Sequence, residues 1–243
     1  MKRYFWLGLL SGLLLTACAA SFSDPAPLPT VSPDAHYIFY NGHILTMNTG
    51  QQQAQAIAIL GQKIEAVGND SDVLALRRPH SVVVDLQGQT LMPGFVDPHS
   101  HIFNDAEQYL DMTVVEAQQV ALENGITTIG AMYVTEEFLR EMQEINRAGQ
   151  LQIRTSLYLV ITDNCGELQG DWWQEHAPTR AAGELLRVGG VKIFTDGGTC
   201  RRPALSYELE PGLGMGDLFF SQQEFDGLVA EAQAAGFQVV THA

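Results

Sequence analysis

Three times after residue 112 the chain repeats one phrase: a polar cap, an amphipathic stripe, a glycine and an apolar β-rich run. No other feature limits the fold as much. Thr113 to Glu116 has capping-box spacing, Ala117, Val120 and Ala121 follow as a stripe, and Gly125 precedes ITTIGAM. Thr135 heads Phe138, Leu139, Met142 and Ile145, closed by Gly149 ahead of LQIRTSLYLVI. Ser221 to Glu224 is a second capping box before Phe225, Leu228, Val229 and Ala232, and Gly236 leads into FQVVTH. A weaker helical stretch from Thr179 to Val188 runs through Gly189-Gly190 into VKIFTD. Together with an apolar strand from Phe95, five strands and four helical crossovers predict a parallel sheet.

Parallel β/α repeats either close as a barrel or stay open and doubly wound. The open form usually carries a glycine-rich nucleotide turn after its first strand, and none follows Phe95 to His99. The strand ends carry His, Lys-x-x-x-Asp-Gly and His instead, which is where a TIM-type barrel places its active-site groups. The predicted class is α/β, a TIM-type (β/α)8 barrel truncated after the fifth strand. Ahead of it, residues 36–92 read as a small β-sandwich-like module. YIFYNGHILTM carries a hairpin signal at Asn41-Gly42, AQAIAILGQKIEAVG a turn at Gly61, and SVVVDLQGQTLMPG closes the module. One short helix is expected around NDSDVLALR.

The chemistry concentrates in GFVDPHSHIF, residues 94–103, behind the Pro93-Gly94 turn. Phe95 and Val96 suit a buried strand, and i, i+2 spacing points His99 and His101 the same way. Two neutral imidazoles on a rigid strand end suit a divalent metal, with Asp97 as a supporting oxygen; ordinary hydrogen-bonded histidines are the plain alternative. In GVKIFTDGG, Lys192 lies inside an apolar strand, where an unpaired ammonium is costly, so it is neutralised, modified or paired with an acid such as Asp196. His242 likewise ends the apolar run QVV, as a ligand or as a hydrogen-bonded core residue.

The order of a β module, LMPGFVDPHSHIF, GVKIFTDGG and VVTHA resembles the metal-dependent amidohydrolase superfamily, most closely its amidohydrolase family 3 branch, over about residues 36–243. The resemblance implies that His99 and His101 bind one metal. It further implies that Lys192, carboxylated by CO2, bridges two metals and that His242 binds the second, with Lys192 and His242 in the catalytic set. It implies one or two zinc ions, with manganese or iron as substitutes, and places Asp196, Arg201 and Arg202 at the substrate. A sixth-strand histidine and an eighth-strand aspartate complete the family's site and would lie beyond Ala243, so the chain is expected to be the N-terminal part of a longer enzyme.

At the amino terminus, Lys2 and Arg3 precede an uncharged apolar stretch of 14 residues ending before Cys18, too short to span a bilayer comfortably and laid out as an export signal. Leu15-Thr16-Ala17-Cys18 resembles the bacterial lipobox, with cleavage before Cys18 and acylation of it. The expected organisation is a lipoprotein signal at 1–17, a proline-rich tether at 18–35, the β module at 36–92 and the partial barrel at 93–243. Loss of Lys2 and Arg3 takes the formal charge from −15 to −17. So acidic a body argues against nucleic acid and leaves membrane contact to the lipid alone, in an exported, membrane-anchored protein of a bacterial envelope. Self-association into a homo-oligomer stays open. Cys165 and Cys200 either pair or remain thiols.

The function expected is metal-dependent hydrolysis of a carbon-nitrogen bond, such as an amide or carbamate of a small molecule. The alternatives are an inactive binding lipoprotein on the same scaffold, or ester or phosphotriester hydrolysis on the same metals. GELQGDWWQEHAPTR, with Trp172 and Trp173, is a candidate lid, with packing as the equal alternative for the adjacent tryptophans.

Overall fold

The computed structural model describes residues 34–181 and 183–243. The proposed signal, Cys18 and nearly all of the tether lie outside them. The first part of the chain folds as β1 (His36–Tyr40), β2 (His43–Asn48), β3 (Gln51–Ala54), β4 (Ala56–Leu60), β5 (Lys63–Gly68), helix α1 (Asp70–Leu74), β6 (Val82–Asp85) and β7 (Thr90–Leu91). These strands form two small sheets, β5-β4-β1-β6 and β3-β2-β7. Ile57 of the first and Ile44 of the second share a cluster with Leu86, while Ile38, Ala56, Ala58 and Val73 form another.

The expected hairpin at Asn41-Gly42 does not form. β1 pairs with β4 and β6, β2 with β3 and β7, so the chain crosses there from one sheet to the other. A type I′ hairpin needs φ > 0 at both central residues; Asn41 has φ 55°, but Gly42 is not in that region. Tertiary bonds hold the crossing, since Asn41 Nδ2 donates to Asp85 Oδ1 at 2.7 Å and Gly42 N–H to the Gln55 carbonyl at 3.1 Å. Gly61, with φ 57°, does turn β4 back onto β5.

The second part is β8 (Phe95–Ser100), α2 (Ile102–Leu110), α3 (Val114–Glu123), β9 (Ile126–Val134), α4 (Glu136–Arg147), β10 (Arg154–Val160), β11 (Leu186–Phe194), α5 (Gln222–Ala234) and β12 (Gln238–His242). Its five strands are parallel in the order β12-β11-β10-β9-β8, chain order throughout, as a curled half-barrel. Both capping boxes form, Thr113 with Glu116 and Ser221 with Glu224, and Thr135 caps α4. Gly125, Gly149 and Gly236 follow their helices at φ 71–85°, the left-handed stop that glycine tolerates.

Three expectations fail here. The chain from Thr179 is not helical. The Thr179 N–H donates to the Val188 carbonyl and Thr179 Oγ1 accepts the Val188 N–H, both at 2.9 Å, Gly183 sits at φ 92°, and β11 begins at Leu186. A 3-10 turn at Trp172–Glu175 occupies that crossover, and Trp173, 2% exposed and edge-on to Phe237 at 5.7 Å, belongs to the core. The lid expectation fails with it. Phe95 and Val96 are 56% and 62% exposed, because β8 pairs only with β9 and stands at the sheet edge. The core itself lies between sheet and helices, from Phe103, Ala117, Phe138, Leu139 and Met142 to Leu157, Leu159, Val191 and Ile193.

Candidate metal centre

Parallel pairing sets Lys192 beside Val240 and Phe194 beside His242. Paired residues in a sheet share a face and i, i+2 residues do too, so Lys192, Phe194, Val240 and His242 project from one side. The side chains agree: the His242 ring stacks on Phe194 at 5.2 Å and 28°, and Lys192 Nζ lies 5.1 Å from the centre of the same ring. Thr195 fixes the end of β12, its N–H and Oγ1 both donating to the His242 carbonyl, at 2.9 and 2.6 Å.

His99 lies one residue before the end of β8, but His101 is not a strand residue. It is the N-cap of α2, with φ −115° and ψ 10°, and its carbonyl accepts the Asp105 N–H. The two rings still meet, 5.6 Å apart and tilted by 54°. Asp97 Oδ1 accepts the His99 N–H at 3.2 Å. Burial holds His99 below the usual imidazole range, with further lowering from Lys192, His101 and His242 and opposition from Asp97. Burial also lowers His101, opposed by Asp105 and helped by Lys192 and His242. Lys192 and His242 act on both histidines, so the four sequence-derived ligands share one electrostatic neighbourhood. Neutral imidazoles have the free lone pair that a metal requires.

Lys192 is fully buried, and its Nζ has no hydrogen-bond partner. Burial brings its amine down to about 8. Pairing with Asp196 is not the solution the fold adopts: Asp196 Oδ1 accepts the Gly198 N–H at 3.1 Å and Oδ2 the Ala204 N–H at 2.9 Å, which ties the following loop together. Arg201 and Arg202 are exposed on that loop. Cys165 and Cys200 form a disulfide, Cα to Cα 5.2 Å, joining it to the segment after β10.

Among the described residues no three His, Cys, Asp or Glu side chains gather closely enough to hold an ion alone. The candidate for a further donor is Lys192, whose buried Nζ has no hydrogen-bond partner. A depressed, unpaired amine takes up CO2 readily, and the product is an anionic two-oxygen ligand in place of an orphaned buried nitrogen. The donor set therefore fits a divalent cation. Phe194 was not singled out from sequence, although its i+2 spacing from Lys192 is the signal that would have marked it. Tyr133, edge-on to Phe194 at 5.9 Å and raised in pKa by burial and Asp163, was also missed.

Adenine deaminase of Escherichia coli (strain K12 / DH10B) is 35% identical over 175 residues, 65% of this chain and 28% of that protein. N-substituted formamide deformylase of Arthrobacter pascens is 34% identical over 62 residues, 26% and 11%. The chain thus spans less than a third of the curated relatives it matches. An uncharacterized metal-dependent hydrolase from Pyrococcus horikoshii has the same fold, with TM-score 0.71, 17% identity, and coverage of 86% of this chain and 65% of that one. A sequence model of the amidohydrolase family matches residues 90–243, and with well over half its length matched the chain belongs to that family.

Proposed function

We propose that the chain is the metal-binding part of a hydrolase that cleaves carbon-nitrogen bonds, other than peptide bonds, in small molecules. The observation that carries the reading is Lys192: buried, unpartnered, lowered to about 8, and within electrostatic reach of His99, His101 and His242. His99 and His101 would hold one divalent ion, carboxylated Lys192 would bridge to a second, and His242 would hold that one. Bound there, such an ion supplies Lewis-acid polarisation of a carbonyl and activation of water near neutral pH. The protein's own part is positioning. Asp97 steadies the His99 backbone, Thr195 anchors the His242 carbonyl, and Phe194 packs its ring against both His242 and Lys192 Nζ.

The relatives' names support C–N chemistry, since one is a deaminase and the other a deformylase. Closure of the sheet into a complete barrel, with later strands supplying a further histidine and an aspartate, belongs to the same proposal. So do the sandwich packing of the β module, the domain limits at 17, 35 and 92, and export with acylation of Cys18. Fatty-acid labelling that survives Cys18→Ala would remove the anchor from it. Among the described residues no helix is long and apolar enough to cross a membrane.

The test is metal content and turnover together. Protein purified with zinc and bicarbonate should hold metal that His99→Ala loses, and should release amines from N-acyl amines in preference to cleaving esters or phosphotriesters. Equal metal content in wild type and variant overturns the site. Cleavage of esters alone overturns the reaction class.

A further inference from the structure

Two loops leave the carboxyl ends of β10 and β11, and each is held by its own bonds. After β10 the chain doubles back: Thr162 bridges to Leu168, and Asp163 Oδ1 accepts the N–H groups of Cys165 and Glu167 at 2.8 and 2.9 Å. After β11, buried Asp196 accepts from Gly198 and Ala204, and the Gly197 carbonyl accepts the N–H groups of Cys200 and Arg201 at 3.0 and 2.6 Å. Pieces so tied internally move as units, so their relative position depends on what joins them. Thr199 Oγ1 donates to the Asn164 carbonyl at 3.1 Å, and Phe219 packs so closely on Gly166 that a Cβ there would overlap its ring. The covalent joint is the Cys165–Cys200 disulfide.

The β11 loop also reaches the candidate metal centre. Gly198, two residues before Cys200, lies beside the His242 imidazole: a Cβ built on it would stand 3.5 Å from Nε2. Phe194 stacks on the same ring at 5.2 Å. The imidazole thus has an aromatic ring against its face and the Gly198 backbone near Nε2, and the second of these is positioned through Cys200. The bridge itself is open to attack. Cys200 is exposed and Cys165 half-buried, and exposed disulfides are the ones that exchange with thiols.

We propose that the Cys165–Cys200 bridge is a redox-sensitive clamp on the metal centre, which when oxidised holds Gly198 against His242 and so fixes that ring for its ion. A dithiol reductant passes two electrons to the S–S bond; its two protons go to the cysteine thiols and it leaves as its own disulfide. What then joins the loops is the packing of Phe219 and one exposed hydrogen bond, a weak link in water. The β11 loop loosens, and Gly198 with it. The zinc side of this rests on the metal-binding reading, whereas the release of His242 does not.

The experiment compares the full chain oxidised, reduced by a dithiol that is then removed under nitrogen, and reoxidised. Zinc affinity is measured in each form. Without zinc, the rate at which diethyl pyrocarbonate acylates His242 is followed by mass spectrometry of the peptide that carries it. Reduction should weaken zinc binding about tenfold, the scale on which loss of a group supporting a ligand is felt, and should speed acylation of His242. Reoxidation should restore both. Cys165→Ser with Cys200→Ser, which offers zinc no thiolate, should match the reduced form. Zinc affinity and His242 reactivity that stay unchanged while reduction lowers the unfolding midpoint would make the bridge a brace for the fold alone and overturn the proposal. A change on reduction that the serine variant, folded by circular dichroism, fails to reproduce overturns it too. No zinc uptake in any form, with acylation of His242 still governed by the bridge, would sink the metal reading and leave the clamp standing.

Discussion

Replacing Lys192 by methionine should make the metal-free protein more stable at neutral pH. The side chain is fully buried, finds no acceptor, and titrates at about 8 where a free lysine titrates at 10.5. At 1.36 kcal/mol per pK unit, that difference corresponds to about 3 kcal/mol of stability lost to holding the proton in the folded state. The sign follows from proton counting. Between pH 8 and 10.5 the unfolded chain keeps this proton and the folded chain has released it, so wild-type stability rises with pH across that window. Below pH 8 both states are protonated and the full penalty applies. Methionine, similar in length and uncharged, escapes it, so urea unfolding at pH 7 should favour Lys192→Met by about 2–3 kcal/mol. The gap between the two proteins should close as pH approaches 10.5. Zinc with bicarbonate should stabilise the wild type and leave the variant unmoved. A variant less stable than wild type at pH 7, with a difference independent of pH, would refute the unpartnered amine and with it the basis for carboxylation.

Gly130→Ala should loosen the site from beneath, because a Cβ there overlaps the carbonyl of Pro98, next to His99; about 1–3 kcal/mol of stability and much of the zinc uptake should go, read by denaturation and metal analysis. Reduction of Cys165–Cys200 reopens a 35-residue loop and should lower stability by about 3–4 kcal/mol, whereas an unchanged unfolding midpoint under reductant would count against the bridge as a constraint on the unfolded chain. Glu224 is held below the ordinary carboxylate range by the hydroxyl and N–H of Ser221, so its contribution is present above pH 4.5 and fades as pH falls further; the stability difference between wild type and Glu224→Gln should shrink in acid.

The half-barrel was legible because its signals are local. Capping boxes, stop glycines and apolar periods each lie within a dozen residues, and they marked α3, α4 and α5 with the strands that follow. The candidate site drew notice for a related reason: imidazole and amine groups on or beside apolar strands stand out against their neighbours. What sequence hid depends on partners far along the chain. Asn41-Gly42 is a hairpin dipeptide overruled by Asp85 and Gln55. In α3 the stripe expectation took Val120 for core, yet it is 41% exposed and Gln118 is fully buried. Gln118 is inside because its amide satisfies the backbone entering β10, donating to the Gln150 carbonyl and accepting the Gln152 N–H at 2.7 Å. Helix α2 lacks a side-chain cap, so nothing local announced it. Trp173 resembled a surface lid because no single-chain period places it against Phe237.

The sheet runs in chain order, and two of the four proposed ligands stand on its outermost strands, His99 on β8 and His242 on β12. A ligand set spread this way acts as a tie rod across an arch. Neighbouring strands are already joined by hydrogen bonds, but nothing in those ladders fixes how far the sheet bends; a link from edge to edge does. Ion occupancy would then register in the curvature of the whole sheet, and slower amide exchange along both edge strands at once is the form in which that curvature would be felt.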